Sequence, residues 1–117
     1  MEILTNTILA FLWLVSFSVS PAPSHKAMVL KWETKQEQDL FRFRVYRQTP
    51  TGWVWVKTLY PKGSKHGTRY RMRDRAVTCG NYYTYLFYAD GYVDGEMYWD
   101  TVRIDNMYLP CRERENQ

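Results

Sequence analysis

Cysteine and histidine are scarce in this chain. Its 117 residues include two cysteines and two histidines. Two cysteines cannot build a structural zinc site, and His25 and His66 stand far apart with no ligand spacing. Gly63-Ser64-Lys65 lacks the longer glycine spacing of a phosphate loop, and no strand–helix unit follows it. Asp90, Asp94 and Glu96 are close enough in sequence to meet around a hard cation, but they lack the spacing of a calcium loop and read as a solvated turn region. Catalysis needs a nucleophile beside a base. The one nominal pair, Cys79 with His66, is separated by a strand-like run of about ten residues, far too long for a hydrogen bond at about 3.3 Å per residue. No catalytic residue, metal ligand or cofactor is therefore assigned, and the chain reads as a non-enzyme.

Glycine (six) and proline (five) are also few, and 17% of the residues are aromatic, a composition that opposes disorder. The length suits one domain with a small, efficient core. A net charge of +4 is modest and does not by itself demand a nucleic-acid partner. Only one run is densely apolar, residues 8–19, and it is too short to cross a bilayer comfortably. Two readings of it stay open. It has the length of a signal-peptide core with small residues after it, although Glu2 stands where a lysine or arginine is expected. Alternatively Phe17-Ser18-Val19-Ser20 is a first strand. The export reading expects a mature chain starting between Val15 and His25, outside the cell or at its surface; the other leaves the protein in the cytoplasm. A membrane contact follows only if the apolar segment is retained.

What is abundant is alternation. Across residues 68–89, Tyr70, Met72, Asp74 and Ala76 share one parity, and Arg69, Arg71, Arg73 and Arg75 the other. Period two marks a strand with one wet face. Residues 77–81 supply a turn, and a second strand places Tyr83, Tyr85, Phe87 and Ala89 on one side. Earlier, Phe41, Phe43 and Val45 alternate with Arg42, Arg44 and Tyr46; Met28, Leu30 and Trp32 alternate in another run. Trp53-Val54-Trp55-Val56 is apolar on both parities, so a neighbour covers one side or an aromatic patch is exposed. Residues 60–67, with two glycines and no period, read as the most flexible internal stretch.

These motifs, in this order, resemble a fibronectin type III domain, most closely the bacterial and phage-like variety. Tyr70, Met72, Asp74, Val77, Gly80, Tyr83, Tyr85, Phe87 and Ala89 match its E strand, turn and F strand. Leu30-Lys31-Trp32 resembles the end of strand B, residues 39–47 strand C, and Val102-Arg103-Ile104 strand G. The resemblance implies an all-β, immunoglobulin-like antiparallel β-sandwich. Trp32, Phe43, Val45, Tyr83, Tyr85, Phe87, Val102 and Ile104 would lie inside, with Tyr83 as a corner tyrosine bonded back to the turn. It divides the chain into an N-terminal segment (1–20, including any first strand), the domain (21–109) and a charged flexible tail (110–117). It also brings Cys79 and Cys111 to one pole, close enough for a disulfide, which an exported route favours.

The implied role is binding, spacing or adhesion. On the C–F–G sheet the outward parity collects Arg42, Arg44, Tyr46, Tyr82, Tyr88, Trp99 and Arg103, side-chain types enriched at protein hot spots. The leading expectation is an extracellular protein or cell-surface partner bound there. One alternative is a nucleic acid or other anionic polymer on Arg69, Arg71, Arg73 and Arg75 with Lys62 and Lys65, a less favoured partner class because the row is flat. The other is a spacer with no partner.

Overall fold

Period-two alternation favours strands over helices along most of the chain. The computed structural model, which describes residues 11–112, contains strands and turns and no helix among those residues. The strands are β1 (Leu14–Pro21), β2 (Met28–Thr34), β3 (Leu40–Thr49), β4 (Gly52–Leu59), β5 (Arg69–Asp74), β6 (Asn81–Val93) and β7 (Glu96–Leu109). They form two antiparallel sheets, ordered β1-β2-β5 and β4-β3-β6-β7. This three-plus-four sandwich is the immunoglobulin-like, fibronectin type III-type architecture expected from the strand motifs.

Rings from both sheets fill the space between them. Trp32 of β2 lies 5.0 Å from Phe87, 5.4 Å from Phe43 and 5.6 Å from Tyr70, centroid to centroid. Trp32, Phe43, Val45, Tyr85 and Phe87 are fully buried, as expected. Tyr83, Val102 and Ile104 pack against this cluster but are only half-buried. Val102 and Ile104 belong to the edge strand β7, and Tyr83 sits near the start of β6. A sandwich of this size cannot cover its rim. The sheets are also tied by a polar node. Asp74 of β5 accepts hydrogen bonds from Arg47 of β3 and from the Tyr85 hydroxyl of β6.

The N-terminal run contributes directly to this core. The strand expected at residues 17–20 lies within β1, and Trp13 and Leu14 just before it are buried. The Asp100 carboxylate on β7 accepts the backbone N–H groups of Leu12, Trp13 and Leu14 at 2.8, 2.8 and 3.0 Å. Trp13 Nε1 donates to the Gln38 carbonyl, and its ring crosses so close to Gly91 that a Cβ there would stand 2.3 Å from it. A chain starting between Val15 and His25 would lose all of these contacts. The sandwich keeps them only when its chain starts at or before Leu12. The first residues of the apolar run, 8–10, lie outside the described residues, as do residues 113–117 of the expected tail.

Two connections differ from expectation. Residues 60–67 are pinned rather than loose. Glu37, buried itself, accepts from the backbone N–H groups of Gly63 and Ser64 and from the hydroxyls of Tyr70 and Thr34. Burial pushes this carboxyl up, yet the four hydrogen bonds together hold it below the usual glutamate value. The acidic stretch 90–96 is mostly strand. β6 runs to Val93, and only Asp94-Gly95, both at positive φ, form the two-residue hairpin turn into β7. Asp90 is therefore withdrawn from Asp94 and Glu96, and the cation reading of the three has no geometric basis.

Cys79 and Cys111 form a disulfide, with Cα atoms 4.9 Å apart and a sequence separation of 32. By loop-closure entropy, such a link contributes about 3–4 kcal/mol. It also holds residues expected to belong to the tail, since Pro110 accepts a hydrogen bond from His25 Nδ1 beside it. Tyr83 closes the same pole. Its hydroxyl accepts from the Thr78 N–H at 2.8 Å and donates to the Thr78 carbonyl at 3.1 Å. Two outcomes are expected in denaturant unfolding. Trp13→Ala lowers stability by about 3–5 kcal/mol through the cavity it leaves. Tyr83→Phe, at a half-buried hydroxyl, lowers it by about 1 kcal/mol.

A candidate binding face on the four-stranded sheet

Register decides which side chains share the solvent face of the larger sheet. On β3 these are Arg42, Arg44 and Tyr46; opposite them on β6 stand Asp90, Tyr88 and Leu86, and opposite those on β7 stand Trp99, Thr101 and Arg103. On the other flank β4 sets Trp55 against Tyr46 and Trp53 against Gln48. The face thus combines aromatic rings from all four strands with arginines from two.

At its centre lies a carboxylate that no solvent reaches. Asp90 is fully buried, and Arg44 grips it with both Nε (2.6 Å) and Nη2 (2.9 Å), while Arg42 Nε adds a third bond at 2.7 Å. Bidentate charge-assisted contacts of this kind fix the arginine in position. Burial pushes the Asp90 carboxyl up, but the hydrogen bonds from Arg44 and Arg42 outweigh it and hold the group below the ordinary aspartate value. The immobilised guanidinium of Arg44 lies 4.2 Å from the Tyr88 ring centroid, and its Nη1 donates to the Tyr46 hydroxyl at 3.1 Å. Tyr46 and Tyr88 meet edge to face. Across the sheet, Arg103 reaches Trp53, 5.4 Å from its ring centroid, while its Nε bonds Asp105.

Arg44, Tyr46, Trp53, Leu86 and Tyr88 enclose a shallow groove of about 230 Å³. Its walls are apolar and aromatic. Arg44 uses three of its five N–H donors internally, which leaves one on each terminal nitrogen for an incoming carbonyl or hydroxyl oxygen.

Of the seven residues expected to form the face, Arg42, Arg44, Tyr46, Tyr88, Trp99 and Arg103 share this surface. Tyr82 does not join the groove. It lies six residues from Tyr88 along β6, about 20 Å away, and packs on Tyr108 at the far end. Sequence reasoning missed Trp53 and Asp90. Trp53 was signalled by the double-parity Trp-Val-Trp-Val run, which the structure resolves as an exposed patch: Trp53 and Trp55 remain 39% and 59% exposed. Asp90 shares the outward parity of Leu86 and Tyr88, the available clue that it faces the arginines rather than a loop. Cys79 is tied up in the disulfide, and among the described residues no group of three or more His, Cys, Asp or Glu side chains could hold a metal ion.

No protein-family model, curated protein or solved structure matches the chain.

The depressed titration of Asp90 has a sign that can be measured. Its contribution to stability is present in full above its unfolded pKa, about 4, and is lost as pH falls through the lower native value. Asp90→Asn is expected to cost about 3 kcal/mol near neutrality, since it leaves two arginines without their counter-charge. It should also flatten the wild-type fall in stability below about pH 4. Urea midpoints collected across pH check both.

Proposed function

We propose that this chain is a non-catalytic, exported module of fibronectin type III type, related to the bacterial and phage-like variety, that binds a protein partner through the β4-β3-β6-β7 face. One observation carries the reading. Arg44 is locked by Asp90 beneath a groove walled by Tyr46, Trp53, Leu86 and Tyr88, so a rigid, largely charge-neutralised arginine stands ready among exposed rings. A solvated sheet face has little need of such an arrangement. Preorganised aromatic and arginine side chains lose little entropy when a partner docks and bury much apolar area in exchange. A protein loop or extended peptide suits the groove chemically. An apolar side chain would fill it while a backbone carbonyl meets the spare Arg44 N–H groups. The disulfide supports export, because such bonds persist in oxidising compartments.

Affinity capture from the protein's native surroundings, with wild type and the Tyr46→Ala/Trp53→Ala double variant side by side, tests this. The expected result is a partner recovered by wild type and lost with the variant, a drop of at least about tenfold in affinity, with little dependence on salt. Identical recovery by both, or recovery of nothing, favours a spacer. Intact-mass measurement of the mature protein tests export separately. Recovery of the protein outside the cell with the Cys79–Cys111 bond closed supports it, and a full-length species retaining Met1 found only inside the cell removes it.

A further inference from the structure

The opposite side of the sandwich carries a second surface with different chemistry. Outward residues on the smaller sheet are Ser16, Ser18 and Ser20 of β1, Lys31 and Glu33 of β2, and Arg69, Arg71 and Arg73 of β5. Lys31 and Arg71 stand directly opposite each other across the β2–β5 ladder, a like-charge pair that destabilises a sheet when nothing lies between. β5 is an edge strand, and beyond it the open side of the sandwich holds a second cleft. That cleft is lined by Lys57, Arg71, Arg73 and Arg75 with Leu59 and Met72, and by no acidic residue. The first groove, about 360 Å³, holds Lys31, Arg69, Arg71, Ser16 and Ser18 with Glu33. Arg71 belongs to both, so the two grooves, of about 360 and 350 Å³, form one track over the β5 edge.

Lys31, Lys57, Arg71, Arg73 and Arg75 are exposed, and none has an ion-pair partner among the described residues. Glu33 is the track's one carboxylate, and it reaches Arg69 only at 3.7 Å. This contrasts with the other sheet, where Arg42 and Arg44 share the carboxylate of Asp90. Charged side chains often guard an edge strand against aggregation. Guarding the edge, however, explains neither Lys31 facing Arg71 nor the gathering of Lys57 from β4 toward the same cleft.

We infer that this track is a docking site for a linear polyanion, a sulfated polysaccharide, independent of the aromatic face. Charge complementarity sets the class. Arg69, Arg71 and Arg73, at period two on β5, present guanidinium groups in a row about 13 Å long, and Arg75 follows just past the end of the strand, matching charges repeated along a polymer. Two features favour a sulfated glycan over a nucleic acid. Of the two rings that border the track, Trp32 is buried and Tyr70 half-buried, and they stack on each other, so neither offers an open face to a base. The serine hydroxyls of β1 beside Lys31 suit sugar hydroxyls and sulfate oxygens. The exported state proposed above places the track among extracellular polysaccharides.

The test uses the full chain with two probes of similar charge, a heparin oligosaccharide and single-stranded DNA, followed by fluorescence anisotropy. Heparin is expected to bind more tightly than DNA, with affinity falling steeply between about 50 and 200 mM salt. Arg71→Ala/Arg73→Ala should weaken heparin binding at least about tenfold without lowering the melting temperature, since both side chains are exposed and unpaired and Arg71 opposes Lys31. Glu33→Gln should tighten it by removing the one opposing charge. Tyr46→Ala/Trp53→Ala should leave it unchanged, so failure here and failure of the protein-binding reading are separately visible. Absence of heparin binding, or an Arg71→Ala/Arg73→Ala variant that binds like wild type, overturns the site. DNA bound as tightly as heparin overturns its assignment to a sulfated glycan.

Discussion

A buried carboxylate must be surrounded by donors or give up its charge. Four such groups lie in the described part of this small domain, Glu37, Asp74, Asp90 and Asp100, and satisfying each of them positions a different piece of the chain. Asp74 joins the two sheets through Arg47 and Tyr85. Asp100 draws in the backbone of residues 12–14 and so seats Trp13 against Gly91. Glu37 gathers the 60–67 connection, and Asp90 arranges the arginines of the outer face. Aromatic burial supplies the driving force, which is non-directional. The carboxylates supply direction, because a hydrogen bond to a charged acceptor is strong only at the right distance and angle.

The same logic separates the two outer surfaces. On the larger sheet, Asp90 and Asp105 pair with all three outward arginines and offset most of their charge, and the exposed surface is largely aromatic. On the smaller sheet Arg69 alone of the outward cations has a counter-ion among the described residues, Glu33 at 3.7 Å, and the exposed surface is electrostatic. A face of the first kind gains affinity from packing and loses little to salt; one of the second kind gains it from long-range attraction that salt screens. Two surfaces so different in chemistry lie on opposite sides of one sandwich.

The two poles of the sandwich are secured by different means. At one, the Cys79–Cys111 bond, the Tyr83 hydroxyl and the His25–Pro110 contact hold the start of β6 and the end of β7 together. At the other, Trp13 and the Asp100 clamp close the gap between β1 and β7. Each device compensates for a core too small to bury the ends of its long strands.

Strand identity, inward parity and the aromatic core around Trp32, Phe43 and Phe87 were legible in the sequence because they depend on a local period of two, which any six residues display. The outward set Arg42, Arg44, Tyr46, Tyr88, Trp99 and Arg103 was legible for the same reason, as was the meeting of Cys79 with Cys111 once the strand order was known. What residues far apart in the chain do to one another was not. Asp90 read as a loop acid, since nothing beside it in sequence announces two arginines nearly fifty residues upstream. The 60–67 stretch read as loose because its anchor, Glu37, belongs to another loop. Trp13 and Leu14 read as part of an apolar leader because hydrophobicity alone does not distinguish export from burial. By itself the sequence determined the strands and their sidedness, and the resemblance of their motifs to a fibronectin type III domain implied the two-sheet sandwich. Register, bulges and the approach of one strand's residues to another's are set by long-range packing, so only the tertiary structure decided which carboxylate each donor meets, and with it the form of the two surfaces.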